Sequence, residues 1–139
     1  MNKALIDTDI LSEIGKAKDV TVAANAKTYR RSFGRYTFSA VTVMEIVSGF
    51  QRTQATGRPN AFLATLPYME ILPFDQPAAE LAGRIGGDLE RIGQPIGVAD
   101  TMIAAIAINN GLELVTGNTS DFQRVQQLGY PLTLVNWRL

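Results

Sequence analysis

Four acidic residues stand where a folded sheet would bring them together: Asp7, Glu45, Asp100 and Asp121. Asp7 ends a short apolar run, and we expect Glu45 to lie in the first turn of the helix after the second strand. Asp100 opens an alanine-rich helix, and Asp121 comes shortly after a later strand. Like charges placed so close together repel one another and raise each other's proton affinity. A divalent cation that prefers oxygen ligands relieves this repulsion, and Mg²⁺ and Mn²⁺ fit.

A cation held by carboxylates supports one kind of chemistry in particular, the hydrolysis of phosphodiester bonds. One or two such ions activate a water molecule and stabilise the leaving oxygen, and no histidine is needed. The chain contains neither histidine nor cysteine. This excludes zinc sites built on those residues, thiol or imidazole nucleophiles, haem and iron–sulfur ligation, and disulfides. Carboxylate-held metal is therefore the main route to hydrolysis that remains.

Each acid also has a purely structural explanation. Thr42 and Glu45 have the spacing of a capping box, in which the glutamate reaches back to the threonine N–H. Asp100 and Asp121 suit helix N-termini because of the helix dipole, and Asp9 suits the N-cap of the first helix. The polar residues that would support the acids are Thr8, Thr116 and Asn118. The two explanations are compatible, because a helix N-terminus is also a rigid mount for a ligand.

The elements that must position these acids alternate between strand and helix along the chain. Apolar and β-branched runs predict strands at 4–7, 36–40, 69–72, 114–116 and 133–135. Helical spacing predicts helices at 9–13 with a stop at Gly15, 20–32, from 42 onward, 59–66, 77–92 and 98–109, with a short helical turn from 120. Such alternation predicts an α/β fold with a mostly parallel sheet. Ligands of open parallel sheets bind beyond the carboxyl ends of the strands, where the acids would lie.

The net charge of zero conceals an asymmetry between the two parts of the chain. Residues 1–60 hold nine basic and five acidic side chains, whereas residues 61–139 hold four and eight. The densest basic cluster consists of Lys27, Arg30, Arg31 and Arg35, with Tyr29, Phe33 and Tyr36 among them. This cluster suits a nucleic-acid backbone with bases stacked on an aromatic ring. The alternative is a solvated helix face whose aromatic rings point into the core.

The length of 139 residues indicates one domain, which we expect to span 1–139. The apolar run near the N-terminus is too short for the core of a signal peptide, and no apolar stretch is long enough to span a membrane. We therefore expect a cytoplasmic protein without a membrane partner.

Four segments in this order and spacing carry a resemblance that covers essentially the whole chain: Leu5–Glu13, Ser39–Glu45, Gly97–Ala105 and Thr116–Phe122. Together they resemble the PIN-domain ribonucleases, in particular the VapC-type toxins of type II toxin–antitoxin pairs. The resemblance implies a three-layer α/β/α sandwich and an Mg²⁺- or Mn²⁺-dependent endoribonuclease acting on RNA. It also implies a homodimer and a small cognate antitoxin whose extended tail covers the site. The acids that it assigns to the metal site are Asp7, Glu45, Asp100 and Asp121, supported by Thr116 and Asn118.

One residue departs from the family pattern, because position 9 is Asp where relatives usually have Asn. The additional carboxylate either enlarges the metal site or caps the first helix, and we favour the cap.

Two rival functions remain open. A non-catalytic module would bind nucleic acid or a protein and use the acids only structurally. A phosphatase acting through Asp7 would require a later lysine in a context that we do not find.

Overall fold

The computed structural model describes residues 1–139, which form five strands and seven helices. The strands are β1 (Ala4–Ile6), β2 (Thr37–Ser39), β3 (Glu70–Leu72), β4 (Glu113–Val115) and β5 (Leu134–Val135). The helices are α1 (Thr8–Lys16), α2 (Val20–Phe33), α3 (Ala40–Arg52), α4 (Arg58–Thr65), α5 (Gln76–Arg91), α6 (Val98–Asn109) and α7 (Thr119–Gln127), and a short 3-10 helix spans Leu66–Tyr68. Every strand and helix that the sequence predicts is present. None of the helices is long and apolar enough to cross a membrane.

All hydrogen-bonded strand pairs are parallel, which confirms the predicted α/β class. β4 pairs with both β1 and β5, while β2 and β3 pair with each other. β1 and β2 lie side by side without a backbone ladder between them, so the sheet consists of a three-stranded and a two-stranded part. The parallel arrangement directs the carboxyl ends of all five strands toward the same edge.

The hydroxyl of Tyr29 bridges the gap between β1 and β2. This side chain is fully buried; its hydroxyl donates to the Ala4 carbonyl at 3.1 Å and accepts from the Ala4 N–H at 3.4 Å. The same hydroxyl lies 2.9 Å from Thr37 Oγ1 on β2, and Thr37 in turn donates to Glu70 Oε1 on β3 at 2.9 Å. Side chains therefore replace the missing ladder at the N-terminal end of the strands.

Apolar side chains cover both faces of the sheet, because successive residues of a strand point to opposite sides. Leu5 and Leu114 pack with α5, α6 and α7 on one face. Ile6 and Val115 pack with α1, α2 and the side chain of Trp137 on the other. This confirms the three-layer α/β/α sandwich.

Two local predictions about helix ends are wrong. α1 does not stop at Gly15 but continues to Lys16, and Ala17 ends it in the left-handed conformation at φ 54°. α3 begins at Ala40, and the buried Ser39 caps it by accepting the N–H of Thr42 at 3.1 Å. The predicted Thr42–Glu45 capping box is therefore absent. Glu45 lies in the second turn of α3 rather than the first, with its carboxylate free for other contacts.

We expect Tyr29→Phe to destabilise the fold by about 1–3 kcal/mol, because the backbone groups of Ala4 lose a buried partner. Urea unfolding followed by circular dichroism measures this change in the free energy of unfolding. Tyr68→Phe is the matched control, since Tyr68 is largely exposed and its hydroxyl makes no hydrogen bond. Equal losses in the two variants would show that the Tyr29 hydroxyl does not join the strands.

Candidate active site

The structure brings all four predicted acids to the carboxyl edge of the sheet. Asp7 follows β1 directly and is the N-cap of α1, while Asp100 and Asp121 lie in the first turns of α6 and α7. Glu45 approaches from α3, where it accepts a hydrogen bond from the first residue of α1. For three of the acids the convergence follows from the parallel topology, since Asp7, Glu45 and Asp121 come soon after β1, β2 and β4. Asp100 instead follows α5 and reaches this edge because α6 begins there.

Asp7 is the most deeply placed of the four acids, with 5% of its surface exposed. Its Oδ1 accepts the N–H of Thr8 at 2.8 Å, and its Oδ2 accepts the hydroxyl of Thr116 at 2.8 Å. Asp7 therefore joins the end of β1 to the residue that follows β4. It also takes the capping role that the sequence assigned to Asp9, and that assignment is wrong.

Two polar residues predicted to support the acids hold pairs of elements together. The Thr8 hydroxyl donates to Glu45 Oε1 at 2.6 Å and lies 3.0 Å from the hydroxyl of the buried Thr42, which ties α1 to α3. The Asn118 amide lies between Asp100 Oδ2 at 3.4 Å and Asp121 Oδ2 at 3.2 Å, donating to both. The spacing of these two carboxylates is thus set by a neutral donor.

Thr116 orients this donor. The Thr116 hydroxyl donates to Asp7 and accepts the backbone N–H of Asn118 at 3.0 Å. Thr8, Thr116 and Asn118 therefore all contact the acids.

Negative charge accumulates at this edge without a cationic partner. Burial raises the pKa of Asp7 from 3.8 to about 7, and the nearby charges of Asp9 and Asp100 add to the rise. Burial also raises the pKa of Asp100, to about 6, with further contributions from Glu45 and Asp121. No lysine or arginine forms an ion pair with Asp7, Glu45, Asp100 or Asp121. This is the electrostatic condition under which a hard divalent cation binds.

The donor set consists of carboxylate, hydroxyl and amide oxygens, which suits Mg²⁺ or Mn²⁺. No group of three acidic side chains is arranged so that it could enclose one ion directly. An ion here would therefore use fewer protein ligands and retain water molecules, as Mg²⁺ usually does.

Asp9 occupies a position that the sequence did not predict. Its Oδ1 accepts the N–H of Ile10 at 2.7 Å, and its Oδ2 accepts the N–H of Gly117 at 3.0 Å. The same Oδ2 lies 3.6 Å from Nη2 of Arg138, which also pairs with Glu13 at 2.6 Å. Arg138 and Glu13 were not among the predicted site residues, and no local pattern marks residues from opposite ends of a chain as neighbours.

A groove of about 770 Å³ opens beside Thr8 and Glu45, between α1, α3 and α4. Its walls are largely apolar and include Leu11, Ile46 and Phe62. The cationic side chains that line it are Lys16, Arg52 and Arg58. The groove can therefore accept an extended apolar segment that leads toward the acids.

Some side chains of the predicted basic cluster form ion pairs with acids and others do not. Lys27, Arg30 and Arg31 line a shallow pocket of about 420 Å³ and form no ion pair. Arg30 lies 5.6 Å from the ring centre of Tyr36, whereas Arg35 lies 3.9 Å from Glu70 in an ion pair. Tyr29 is fully buried. Of the two interpretations of its ring, stacking on a base or packing in the core, the second is therefore correct.

Comparison with known proteins defines the class to which this fold and site belong. The sequence profile of the PIN domain matches residues 4–128. The chain therefore belongs to the PIN-domain family.

Its relatives within that family are VapC ribonucleases. The chain is 34% identical over 126 residues to the tRNA(fMet)-specific endonuclease VapC of Shigella flexneri, covering 90% of this chain and 93% of that protein. It is 32% identical over 128 residues to the protein of the same name from Salmonella typhimurium, with 90% and 93% covered.

Solved structures agree with this placement. A chain of the DNA-bound VapBC complex from Salmonella typhimurium superposes with a TM-score of 0.80 at 29% identity, over 99% of both chains. A chain of FitAB bound to an IR36 DNA fragment superposes with a TM-score of 0.73 at 26% identity, over 98% of this chain and 96% of that chain. Both solved structures thus share the fold of this chain over nearly its whole length.

The raised pKa of Asp7 makes the stability of the metal-free protein depend on pH. Because the folded pKa of about 7 exceeds the ordinary value of 3.8, the stability from this group is present below pH ~4 and is lost as pH rises through ~7. Asp7→Asn removes the ionisation, so its melting temperature in EDTA should exceed that of the wild type by roughly 5 °C at pH 8 and by less at pH 5. Differential scanning calorimetry measures both.

Glu90→Gln is the control for this experiment, since Glu90 is exposed and its charge is not among those that raise the pKa of Asp7 or Asp100. Its melting temperature should follow that of the wild type at every pH. A difference between Asp7→Asn and wild type that stays constant from pH ~5 to ~8 would contradict the buried, raised-pKa description of Asp7.

Proposed function

We propose that this protein is an Mg²⁺- or Mn²⁺-dependent endoribonuclease and the toxin of a type II toxin–antitoxin pair. The single observation that carries the proposal is the cluster of Asp7, Glu45, Asp100 and Asp121 at one edge of the sheet without a cationic partner. Its VapC relatives are named as ribonucleases and endonucleases, which supports the same activity here.

The divalent cation, when bound, supplies activation of water and stabilisation of the leaving oxygen of the phosphodiester. Asp7 and Asp100 are the ligands whose charge the cation would stabilise most, because burial disfavours their ionisation in its absence. Asp121 and Glu45 complete the acidic set through water molecules, because no three of these acids are arranged to hold one ion directly. Asp121 Oδ1 and Glu45 Oε2 accept no hydrogen bond within the protein. Either atom can therefore orient the attacking water and accept its proton.

The supporting residues fix the geometry on which this chemistry depends. Asn118 keeps Asp100 and Asp121 at a set spacing, and Thr8 holds the carboxylate of Glu45. Thr116 fixes both Asp7 and the backbone of Asn118. Each uses a neutral group, so the site is rigid while its negative charge stays available to a cation.

We assign the groove between α1, α3 and α4 to the antitoxin. The groove is largely apolar, about 770 Å³ in volume, and Thr8 and Glu45 form part of its wall. An extended segment lying in it would place a basic side chain among the acids, where it would form charge-assisted hydrogen bonds. Structures of relatives are VapBC complexes, which supports a protein partner. The homodimer, the single domain over 1–139 and the cytoplasmic location remain predictions.

We assign the phosphate backbone of the RNA to the basic face formed by Lys27, Arg30 and Arg31. These side chains have no acidic partner, and Tyr36 beside them is partly exposed. The pocket that they line and the groove share Ile14 and Tyr36 as wall residues, so the basic face borders the groove that leads to the acids. Arg35 is excluded from this assignment because it pairs with Glu70.

Purified protein, freed of any bound partner, should cleave structured RNA in Mg²⁺ or Mn²⁺ and stop in EDTA. Asp7→Asn and Asp100→Asn should each lower the cleavage rate by about 100-fold or more, because each removes a cation ligand. Gel electrophoresis of end-labelled RNA measures the rate.

Glu90→Gln should cleave at the wild-type rate, which controls for handling. Equal cleavage by wild type and both aspartate variants would identify a contaminating nuclease. RNA binding that is unchanged in EDTA, without cleavage over long incubation, would instead support a non-catalytic binding module.

The basic face predicts a salt-dependent contribution to RNA binding. In EDTA, the double variant Lys27→Gln/Arg31→Gln should bind single-stranded RNA more weakly at low salt, and the slope of log K against log salt should fall by about 1.4. Fluorescence anisotropy measures both quantities.

The matched control is Arg84→Gln/Arg91→Gln, which removes two exposed charges from α5 in the opposite helix layer. Its slope should equal that of the wild type. An equal fall in both double variants would indicate a non-specific effect of net charge.

A further inference from the structure

Arg138 lies beside the acidic edge but contacts none of the four proposed cation ligands. Its Nη2 is 2.6 Å from Glu13 Oε1 and 3.6 Å from Asp9 Oδ2, and its Nε donates to the same Glu13 oxygen at 2.8 Å. Glu13 Oε2 is buried and has no partner. Arg138 is therefore the counter-charge for both Asp9 and Glu13.

The two residues that precede Arg138 anchor its backbone. The side chain of Trp137 is buried, its ring lies 5.7 Å from that of Tyr29, and its carbonyl accepts from Asn25 Nδ2 at 3.1 Å. The N–H of Arg138 donates to Asn136 Oδ1 at 3.0 Å. Its guanidinium lies over Gly117, so a side chain at that position would displace it. Neighbouring residues therefore place Arg138 beside Asp9.

Asp9 lies at the edge of the cation site. Its Oδ2 accepts the N–H of Gly117 at 3.0 Å, and the two neighbours of Gly117 in the chain contact the acids directly. Thr116 donates to Asp7, and Asn118 donates to Asp100 and Asp121. Both of its oxygens are nevertheless engaged elsewhere, Oδ1 by Ile10 N–H and Oδ2 by Gly117 N–H and Arg138. Asp9 therefore lies near the cation site, but both of its carboxylate oxygens already have other partners.

We propose that Arg138 is a positioning residue that acts through Asp9, holding this carboxylate away from the cation and leaving the ligand set to Asp7, Glu45, Asp100 and Asp121. The inference rests on the proposed function, since it concerns the same cation. Loss of Arg138 leaves the Asp9 carboxylate held only by the N–H groups of Ile10 and Gly117, with no counter-charge, at the edge of the site. The freed Asp9 then strengthens cation binding, because it adds both charge and a ligand oxygen.

The test measures Mn²⁺ binding directly, by the electron paramagnetic resonance signal of free Mn²⁺, in a four-protein cycle. The proteins are the wild type, Arg138→Gln, Asp9→Asn and the double variant. We expect Arg138→Gln to bind Mn²⁺ about 10-fold more tightly than the wild type. In the Asp9→Asn background, the same substitution should change the affinity by about 2-fold or less.

Arg91→Gln is the matched control, because it removes an arginine from an exposed ion pair with Asp88 on α5. Its Mn²⁺ affinity should equal that of the wild type. Circular dichroism melting of each variant checks that it is folded. If Arg138 only stabilised the fold, its loss would not produce tighter Mn²⁺ binding that depends on Asp9. The Mn²⁺ affinity therefore distinguishes a positioning role of Arg138 from a purely structural one.

Two results would overturn the proposal. An unchanged affinity in Arg138→Gln would show that Asp9 is not restrained by Arg138. An equal gain in the wild-type and Asp9→Asn backgrounds would show that Arg138 acts as a distant charge. If wild type cleaves RNA in Mn²⁺ and either result is found, only the role of Arg138 fails. If wild type neither binds Mn²⁺ nor cleaves RNA, the proposed function fails and this inference fails with it.

Discussion

The buried carboxylate of Asp7 is the interaction on which the acidic edge depends. It joins α1 to β4 by accepting the N–H of Thr8 and the hydroxyl of Thr116, yet its burial raises its pKa to about 7. Two hydrogen bonds to neutral donors do not offset the loss of water around a charge when other carboxylates stand nearby. The fold therefore contains a carboxyl group whose ionisation below about pH 7 is disfavoured unless a cation lies beside it. This links the stability of the edge to the binding of its ligand.

Glu70 at the N-terminal end of the sheet has basic partners, whereas the four acids at the carboxyl end have none. At the N-terminal end, Glu70 accepts from Thr37 and pairs with Lys3 at 2.7 Å, and these contacts hold the pKa of Glu70 below its usual value. Together with the Tyr29 hydroxyl, they join strands that lack a backbone ladder. At the carboxyl end, no basic side chain reaches the four acids. One end is thus electrostatically satisfied and serves stability, while unsatisfied charge accumulates at the end where parallel sheets bind ligands.

The sequence allowed the convergence of the acids to be predicted, because strand–helix alternation implies a parallel sheet whose carboxyl ends share an edge. The bounds of α6, at Val98 and Asn109, follow from its apolar composition and the Asn-Gly that ends it. The position of Glu45 was misjudged, because Ser39 and Thr42 are both good caps and only the buried end of β2 selects Ser39. The groove and the Arg138 contacts depend on tertiary packing, which short-range patterns do not encode.

Asp9 illustrates how an additional acid can be accommodated without changing the chemistry of a site. A carboxylate placed there without a partner would add to the repulsion already acting on Asp7 and Asp100. The Gly117 N–H and Arg138 each bind the oxygen that would otherwise be free, and Gly117 is the residue type that permits the close approach of the guanidinium. Asp9, Gly117 and Arg138 are therefore one structural unit built from three distant parts of the sequence. Its effect is to separate an acid that contributes to folding from the acids that remain available to a cation.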